Sequence, residues 1–206
     1  MKKLIILLFL VSLNVSAFNI KDINFINSEG KEVDLSQIDS EIIFEWSNLE
    51  CPYVKRHYGS NNMQTTQKFA KSKNVIWITV ISSAEGKQGY IQPGDAVNTF
   101  ASFGSFPDHI LVDENGDLGK KFNAKTTPHI FIADKNKNIV YQGAIDDAGG
   151  SRFWTTDLNQ STNFVKKVVN DIKLNKPLSV SKTRPYGCSV KYLSLIHISE
   201  PTRLQQ

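Results

Sequence analysis

Three short runs of β-branched and aromatic residues, separated by stretches with helical spacing, are the feature that most constrains how this chain folds. They span residues 42–46, 75–81 and 109–113, and the second is apolar almost throughout, which is typical of a buried central strand. Strands that alternate with helices pair in parallel. Two further runs, 129–133 and 138–142, flank a polar turn and predict an antiparallel hairpin. The sequence therefore predicts an α/β fold with a mixed central sheet flanked by helices.

The segments outside these strands carry the signals for the remaining elements. Apolar residues at helical spacing and capping residues mark the helices, and turn residues mark a second hairpin. The predicted elements are an N-terminal hairpin within 25–35 and helices at 51–71 with a break at 59–62, at 95–103, at 118–122 and at 161–174.

Composition narrows the class of protein. The chain has 206 residues, 40% of them hydrophobic and 21% charged, which is typical of one globular domain. Its net charge of +4 comes from 24 Lys and Arg against 20 Asp and Glu, spread along the chain without a basic block. We therefore expect no nucleic-acid partner. The 2 cysteines are too few for a disulfide scaffold or, alone, for a four-ligand zinc site.

The first seventeen residues read as a secretory leader. Lys2 and Lys3 precede an apolar run at 4–11, and Val15-Ser16-Ala17 has the small residues of a cleavage site after Ala17. The apolar run is much shorter than the roughly 20 residues that span a bilayer, so no stable membrane span is expected. The prediction is an exported protein, with the periplasm as its expected compartment, where disulfides are permitted.

Residues 193–206 differ in character from the rest. They resemble the in-frame translation of a common sequencing adapter, so we interpret them as an assembly artefact and leave His197 out of every site. The alternative is a natural C-terminal tail. On this interpretation the domain spans residues 18–192.

Cys51 is the first candidate for chemistry, because it lies where a predicted core strand ends and a helix begins. Free N–H groups and the positive end of the helix dipole favour a thiolate there. Thiols at such positions have pKa values of about 3.5–7.5, against about 8.5 for a free thiol. Lys55, Arg56 and His57 follow in the next turn, where they either add positive charge or project into solvent. The alternative is a buried structural cysteine.

Cys188 is the second thiol, in the segment 185–192 beyond the last helix. Gly187 predicts a mobile tail there, which would let Cys188 reach Cys51 as a resolving partner. An even cysteine count in an exported protein favours pairing, and the alternative is a free or structural tail cysteine.

A proline at the start of an interior strand forms the third signal. Thr127-Pro128 directly precedes the predicted strand at 129–133, and proline lacks the N–H that a ladder needs. Either an ordinary trans proline opens an edge strand here, or the proline has a structural role at the site.

The histidines suggest an alternative in which the protein binds a metal ion. His57, His109 and His129 lack the close spacing of a zinc motif. Convergence of Cys51, His57, Cys188 and His129 on a soft ion such as Cu(I) is a minority alternative. No cofactor is expected.

Four segments together resemble exported redoxin-domain proteins of the AhpC/TSA and thioredoxin-like superfamily. They are Asn48 to Tyr58 (NLECPYVKRHY), Lys125 to Ile132 (KTTPHIFI), Tyr141 to Asp147 (YQGAIDD) and Gly187 to Lys191 (GCSVK). The resemblance implies a thioredoxin-like fold, with Cys51 as the nucleophile and Pro128 as a cis proline. It also implies that Thr127 offers backbone groups to an incoming chain or thiol.

Departures from the family patterns limit the function that follows. Val54 stands where a C-x-x-C motif has its second cysteine, and Phe44 and Asn48 stand at the proline and threonine positions of a peroxiredoxin motif. Asn48 or Arg152 would have to substitute in peroxide activation.

The predicted function is an exported thiol oxidoreductase, either a thiol-disulfide oxidoreductase or a peroxiredoxin-like antioxidant. Cys51 would attack a disulfide or a peroxide, with release by Cys188 or by an external thiol reductant, and Asn48, Lys55, Arg56, His57 and His129 would support the site. The second hypothesis is a copper-binding or redox-inert binding module of the same fold.

Overall fold

The computed structural model describes residues 19–149 and 153–193. The predicted leader at 1–17, Arg152 and all of the segment 193–206 except Leu193 lie outside the described residues. Within the described part of the chain, no helix is both long and apolar enough to cross a membrane.

A five-stranded mixed sheet forms the centre of the fold, as predicted. Its strand order is β5-β4-β3-β7-β8, with β3, β4 and β5 parallel and both β7 and β8 antiparallel to their neighbours. The strands are β3 (Ile42–Trp46), β4 (Ile76–Ile81), β5 (His109–Val112), β7 (His129–Ala133) and β8 (Ile139–Gly143). Each lies within one residue of the run that predicted it.

Two smaller sheets accompany the central one. The N-terminal hairpin pairs β1 (Asn24–Ile26) with β2 (Glu32–Asp34), as predicted. The other pairs β6 (Thr126–Thr127) with β9 (Cys188–Ser189), and the sequence did not predict it. Strands of two residues are too short to show an alternating pattern.

The helices match their predictions closely. They are α1 (Pro52–Gly59), α2 (Asn62–Ser72), α3 (Ala96–Ser102), α4 (Asp117–Phe122) and α5 (Phe164–Lys173). The break between α1 and α2 is confirmed, and Asn61 has a left-handed backbone there. Helix α5 begins later than predicted because the Asn163 side chain accepts the Lys166 N–H and so caps it.

Each face of the central sheet packs a separate apolar core. Residues of β3 alternate between the faces, so Ile43 packs with Cys51 and with helix α5, whereas Phe44 and Trp46 pack with Phe122 of α4. Burial on both sides explains why the central strands have almost no exposed residue. The end of β3 thereby lies inside the fold, five residues before Cys51.

A buried carboxyl interrupts this apolar strand. Glu45 of β3 is fully buried and accepts hydrogen bonds from Trp77 Nε1 at 3.0 Å, from the Tyr58 hydroxyl at 3.2 Å and from the Thr79 hydroxyl at 3.4 Å. Burial raises the pKa of Glu45, although these donors oppose the shift. The carboxyl therefore links β3, β4 and α1 through three donors.

Substitution of Glu45 with alanine should destabilise the protein by about 3–5 kcal/mol, because three buried donors would lose their acceptor. Chemical unfolding followed by tryptophan fluorescence measures this free energy of unfolding. Glu45→Gln is the matched control, since it keeps one oxygen acceptor and removes the ionisable group.

The pH dependence of stability separates wild type from Glu45→Gln. The pKa of Glu45 is higher in the folded than in the unfolded state. The contribution of Glu45 to the free energy of unfolding of the wild type therefore falls as pH rises above its pKa in the unfolded state. Glu45→Gln should lack this decline. An alanine variant as stable as wild type would contradict the role given to Glu45.

Candidate redox site

Cys51 caps the N-terminus of α1. Its backbone carbonyl accepts the Lys55 N–H at 2.9 Å, and Pro52 occupies the first helical position, where no N–H is needed. Its own N–H donates to the Asn48 carbonyl at 2.9 Å, which fixes the turn from β3 into the helix. Cys51 therefore occupies the N-cap position of a helix start, as predicted. The Cys51 side chain is fully buried.

The Thr127-Pro128 peptide bond is cis, as the resemblance implied. Cys51 Sγ donates to the Thr127 carbonyl oxygen at 3.1 Å, so this loop lies against the sulfur. The Thr127 side chain is buried as well. Its hydroxyl has no hydrogen-bond partner among the described residues, and Thr127 is one of the groups that lower the pKa of Cys51.

The C-terminal tail completes the site. Cys188 pairs with Thr127 and Ser189 with Thr126 in the β6–β9 ladder. Beyond it, the Val190 N–H donates to the Lys125 carbonyl at 3.1 Å. The predicted mobile tail is therefore wrong, because backbone hydrogen bonds hold the segment as a strand on the loop that precedes Pro128. Cys188 therefore lies in the same site as Cys51, with Thr127 contacting both.

Close packing on both sides of Cys188 keeps the tail in place. A Cβ on Gly187 would lie 2.0 Å from the Thr127 carbonyl oxygen, so only glycine permits this approach. Tyr192 packs so closely on Gly116 and Gly119 that a Cβ on either would overlap its ring, and its hydroxyl donates to the Ala124 carbonyl at 2.8 Å.

The electrostatics distinguish the two thiols. Burial raises the pKa of the Cys51 thiol, but the neighbouring Cys188 side chain, Thr127 and the backbone of Val54 and Cys188 outweigh burial and lower it. For Cys188, burial and the neighbouring Cys51 raise the pKa to about 12. Negative charge therefore belongs on Cys51, and Cys188 keeps its proton. This is the arrangement of a nucleophile beside a second thiol.

Three of the predicted supporting side chains point elsewhere. The Asn48 amide nitrogen donates to the Gln88 carbonyl at 3.1 Å, and its oxygen accepts the Glu50 N–H at 2.8 Å. The Arg56 guanidinium stacks over Phe153, 4.7 Å from the ring centroid. Lys55 is exposed and, with Leu49 and Glu50, lines a groove of about 600 Å³ beside the turn into α1. None of the three is a source of the lowered pKa of Cys51.

Both predicted histidines are buried, and His57 does not supply the positive charge that was expected of it near the sulfur. Burial and the neighbouring Arg56 lower the pKa of His57 to about 3, and its Nε2 lies 3.1 Å from the Tyr186 hydroxyl. His129 accepts the Lys125 N–H through Nδ1 at 3.2 Å and stacks on Phe131, in the core across the sheet from Cys51. Burial lowers its pKa to about 4.

The copper alternative therefore lacks its ligand set. His57 and His129 are engaged with other partners, so Cys51 and Cys188 remain together without a histidine. Among the described residues, no group of three or more His, Cys, Asp or Glu side chains is arranged to hold a metal ion. His109, in β5, has its Nδ1 3.3 Å from the Asn27 amide and lies apart from both cysteines.

Sequence reasoning missed a buried polar network behind the tail. It consists of His57, Asn62, Asp146 and Tyr186. Asp146 lies in the segment 141–147 that carries the resemblance, but it was given no role there, and Asn62 showed no signal. Tyr186 had one available signal, its position two residues before Cys188.

Comparison with known proteins identifies the family of the chain. The family model described as Redoxin matches residues 16–153, which include Cys51 and Pro128 but not Cys188. No curated protein is similar to the chain in sequence.

Three solved structures illustrate the similarity in fold. A hypothetical protein from Sinorhizobium meliloti 1021 is 17% identical, with a TM-score of 0.69 over 88% of this chain and 97% of that one. An uncharacterised conserved protein from Geobacillus kaustophilus is 19% identical, with a TM-score of 0.72 over 87% of this chain and 94% of that one. A thioredoxin-like protein from Aeropyrum pernix is 18% identical, with a TM-score of 0.50 over 66% of this chain and 90% of that one.

The family match spans more than half of the chain, and the mixed five-stranded sheet with its flanking helices is thioredoxin-like. The chain therefore belongs to the Redoxin family, a family of thiol oxidoreductases with the thioredoxin-like fold.

Proposed function

We propose that this protein is an exported thiol-disulfide oxidoreductase that uses Cys51 as its nucleophile and Cys188 as its resolving cysteine. One observation carries the proposal: Thr127, in the loop before Pro128, joins the two cysteines, because its carbonyl oxygen lies 3.1 Å from Cys51 Sγ and its backbone pairs with Cys188 in the β6–β9 ladder. Cys51, the proposed nucleophile, has the lowered pKa, and Cys188, the proposed resolving cysteine, keeps its proton.

The exchange proceeds in two steps. The Cys51 thiolate attacks one sulfur of a substrate disulfide, a mixed disulfide forms, and the other substrate sulfur leaves as a thiolate that takes a proton from solvent. Cys188 then loses its proton and attacks the Cys51 sulfur, which releases the second substrate thiol. The substrate gains two electrons, and the protein ends with a Cys51–Cys188 disulfide. An external thiol reductant returns it to the dithiol.

A disulfide suits the site better than a peroxide. At the two positions where a peroxiredoxin motif has proline and threonine, Phe44 packs against Phe122 with ring centroids 5.0 Å apart, and Asn48 holds the Gln88 carbonyl. Neither side chain is free to orient a peroxide at Cys51.

Peroxide reduction is the second candidate, supported by the buried Thr127 hydroxyl, which has no hydrogen-bond partner in the described structure. In that reaction the thiolate would bond to one peroxide oxygen, the O–O bond would break and hydroxide would leave. Attack by Cys188 on the resulting sulfenic acid would release water and give the same disulfide.

Export rests on the leader predicted from the sequence. An oxidising compartment such as the periplasm supplies disulfide substrates, which fits this chemistry. The proposed partners are a disulfide-containing substrate and an external thiol, with no nucleic acid.

The proposal is tested by trapping the thiols after oxidation. The purified protein is treated with oxidised glutathione or, separately, with hydrogen peroxide, then alkylated and mapped by peptide mass. We expect a Cys51–Cys188 disulfide with oxidised glutathione that dithiothreitol reverses. Faster formation with peroxide would favour the second candidate. If Cys51 is oxidised while Cys188 stays free, the protein uses one cysteine and an external thiol. If neither cysteine reacts, the proposed function is wrong.

A further inference from the structure

A network of four buried polar side chains lies behind the tail. Asp146 accepts hydrogen bonds from the Tyr186 hydroxyl and, at 3.0 Å, from the Asn62 amide. His57 completes the group, with Nδ1 2.9 Å from the Asn62 amide nitrogen and Nε2 3.1 Å from the Tyr186 hydroxyl. The side chains of His57 and Asp146 are almost completely shielded from solvent.

The network joins the tail to elements that the rest of the fold holds rigidly. His57 belongs to α1, whose first turn follows Cys51, and Asn62 begins α2. The Asp146 carboxylate also accepts the Ala148 N–H at 3.1 Å, which fixes its orientation. Tyr186 is the only one of the four that comes from the tail, so its hydroxyl is where the tail attaches to the network.

The position of Tyr186 relative to Cys188 gives this attachment a consequence. Only Gly187 separates the two, and Gly187 lies directly against the Thr127 carbonyl. The Tyr186 ring also packs among Tyr53 and Phe153, with centroids 6.0 Å and 5.4 Å away. The ring thus packs the tail against α1 and Phe153, and the hydroxyl attaches it to Asp146 two residues before Cys188.

Burial of a hydroxyl and a carboxylate together is unfavourable unless each satisfies the other. A phenylalanine at position 186 would keep the ring contacts and avoid burying the hydroxyl. Burial of the ring alone therefore does not explain the polar network. A hydrogen bond to a carboxylate is strong and depends on geometry, so the network can fix the position of residue 186.

We propose that Tyr186 is a positioning residue, which places Cys188 against Cys51 through the hydrogen bond between its hydroxyl and the Asp146 carboxylate. The proposal rests on the proposed function, in which Cys188 resolves the mixed disulfide. Tyr186 touches neither substrate nor sulfur in this role. It acts through Gly187, the one residue that separates it from Cys188.

Tyr186→Phe tests the proposal, because it removes the hydroxyl and keeps the ring. Tyr58→Phe is the matched control, since Tyr58 is also a buried tyrosine that donates to a buried carboxyl, Glu45, but belongs to the core rather than to the tail. Oxidised glutathione is added to each reduced protein, the reaction is stopped with acid at successive times, and the mixed disulfide at Cys51 and the Cys51–Cys188 disulfide are counted by mass. Thermal unfolding checks that each variant is folded.

We expect Tyr186→Phe to slow conversion of the mixed disulfide into the Cys51–Cys188 disulfide by about tenfold or more, the range expected for loss of a hydrogen bond to a charged group. Formation of the mixed disulfide should not slow. Tyr58→Phe should convert at the wild-type rate. Conversion at the wild-type rate in Tyr186→Phe would overturn the proposal, and so would equal slowing in both variants, which would indicate a general loss of stability. If Tyr186→Phe does not fold, Asp146→Asn replaces it under the same criteria.

Failure of the proposed function gives a different result. Wild-type protein would then form no Cys51–Cys188 disulfide at all, and alkylation of Cys51 by iodoacetamide becomes the deciding measurement. Because the tail covers Cys51, faster alkylation in Tyr186→Phe than in wild type and Tyr58→Phe would still support positioning by Tyr186. An unchanged rate would overturn it.

Discussion

Cys51→Ser is expected to reduce disulfide reduction to the uncatalysed background, a loss of about 10³-fold or more. A serine hydroxyl is not ionised near neutral pH and is a poor nucleophile toward sulfur. Burial raises the pKa of Cys51, but the neighbouring Cys188, Thr127 and the α1 backbone outweigh burial and lower it. Reduction of a small aromatic disulfide, followed by absorbance of the released thiol, measures the loss.

The pH dependence of the wild-type reaction provides a second check on Cys51. With a lowered pKa, the thiolate persists below the pH at which a free thiol is protonated, so the rate should fall only as pH drops through the Cys51 value. Cys188→Ser is the matched control. It should keep the first attack and accumulate the mixed disulfide. Substantial activity in Cys51→Ser would show that another group is the nucleophile.

Gly187→Ala is expected to displace the tail from the site. The added Cβ would lie 2.0 Å from the Thr127 carbonyl oxygen and 2.7 Å from its carbon, both of them backbone atoms that cannot rotate away. The φ angle of +137° adds strain for any residue with a side chain. Overpacking and strain together should cost about 2–5 kcal/mol, enough to break the two-residue β6–β9 ladder.

Two measurements report this displacement. Hydrogen exchange should show faster exchange of the Val190 amide, which donates to Lys125 in the wild type. Iodoacetamide should alkylate Cys51 faster, and the Cys51–Cys188 disulfide should form more slowly. Gly94→Ala is the control, because a Cβ there meets nothing within 4 Å and Gly94 has no positive φ. A Gly187→Ala protein with wild-type exchange and alkylation would show that the tail tolerates the Cβ by a small shift.

Local patterns predicted the central sheet and half of the site. The runs that became β3, β4 and β7 are apolar because both faces of the sheet are covered, and this pattern is visible in the sequence. Cys51 was found because a strand end followed by proline and a helical pattern marks a helix start. Thr127-Pro128 was found because proline is unusual at the start of an interior strand.

Contacts between residues distant in sequence could not be predicted in this way. Pairing of Cys188 with Thr127 depends on two-residue strands from opposite parts of the chain, and Gly187 therefore suggested mobility where it permits close approach. His57 suggested a positive charge beside Cys51, but burial keeps it neutral and directs it toward Tyr186. The contacts and the protonation state of such a side chain depend on burial by segments distant in sequence, and no local sequence pattern indicates that burial.

The placement of the two cysteines near opposite ends of the domain links oxidation to folding. A bond between Cys51 and Cys188 would close most of the domain into one covalent ring, and a cross-link over so long a segment restricts the unfolded chain by about 5 kcal/mol on the chain-entropy account. By thermodynamic linkage, the folded domain favours the bond by as much as the bond favours folding. Each turnover of such a protein would therefore alternate between a more and a less stable fold, and its reductant must overcome both the sulfur–sulfur bond and the stability that the bond confers.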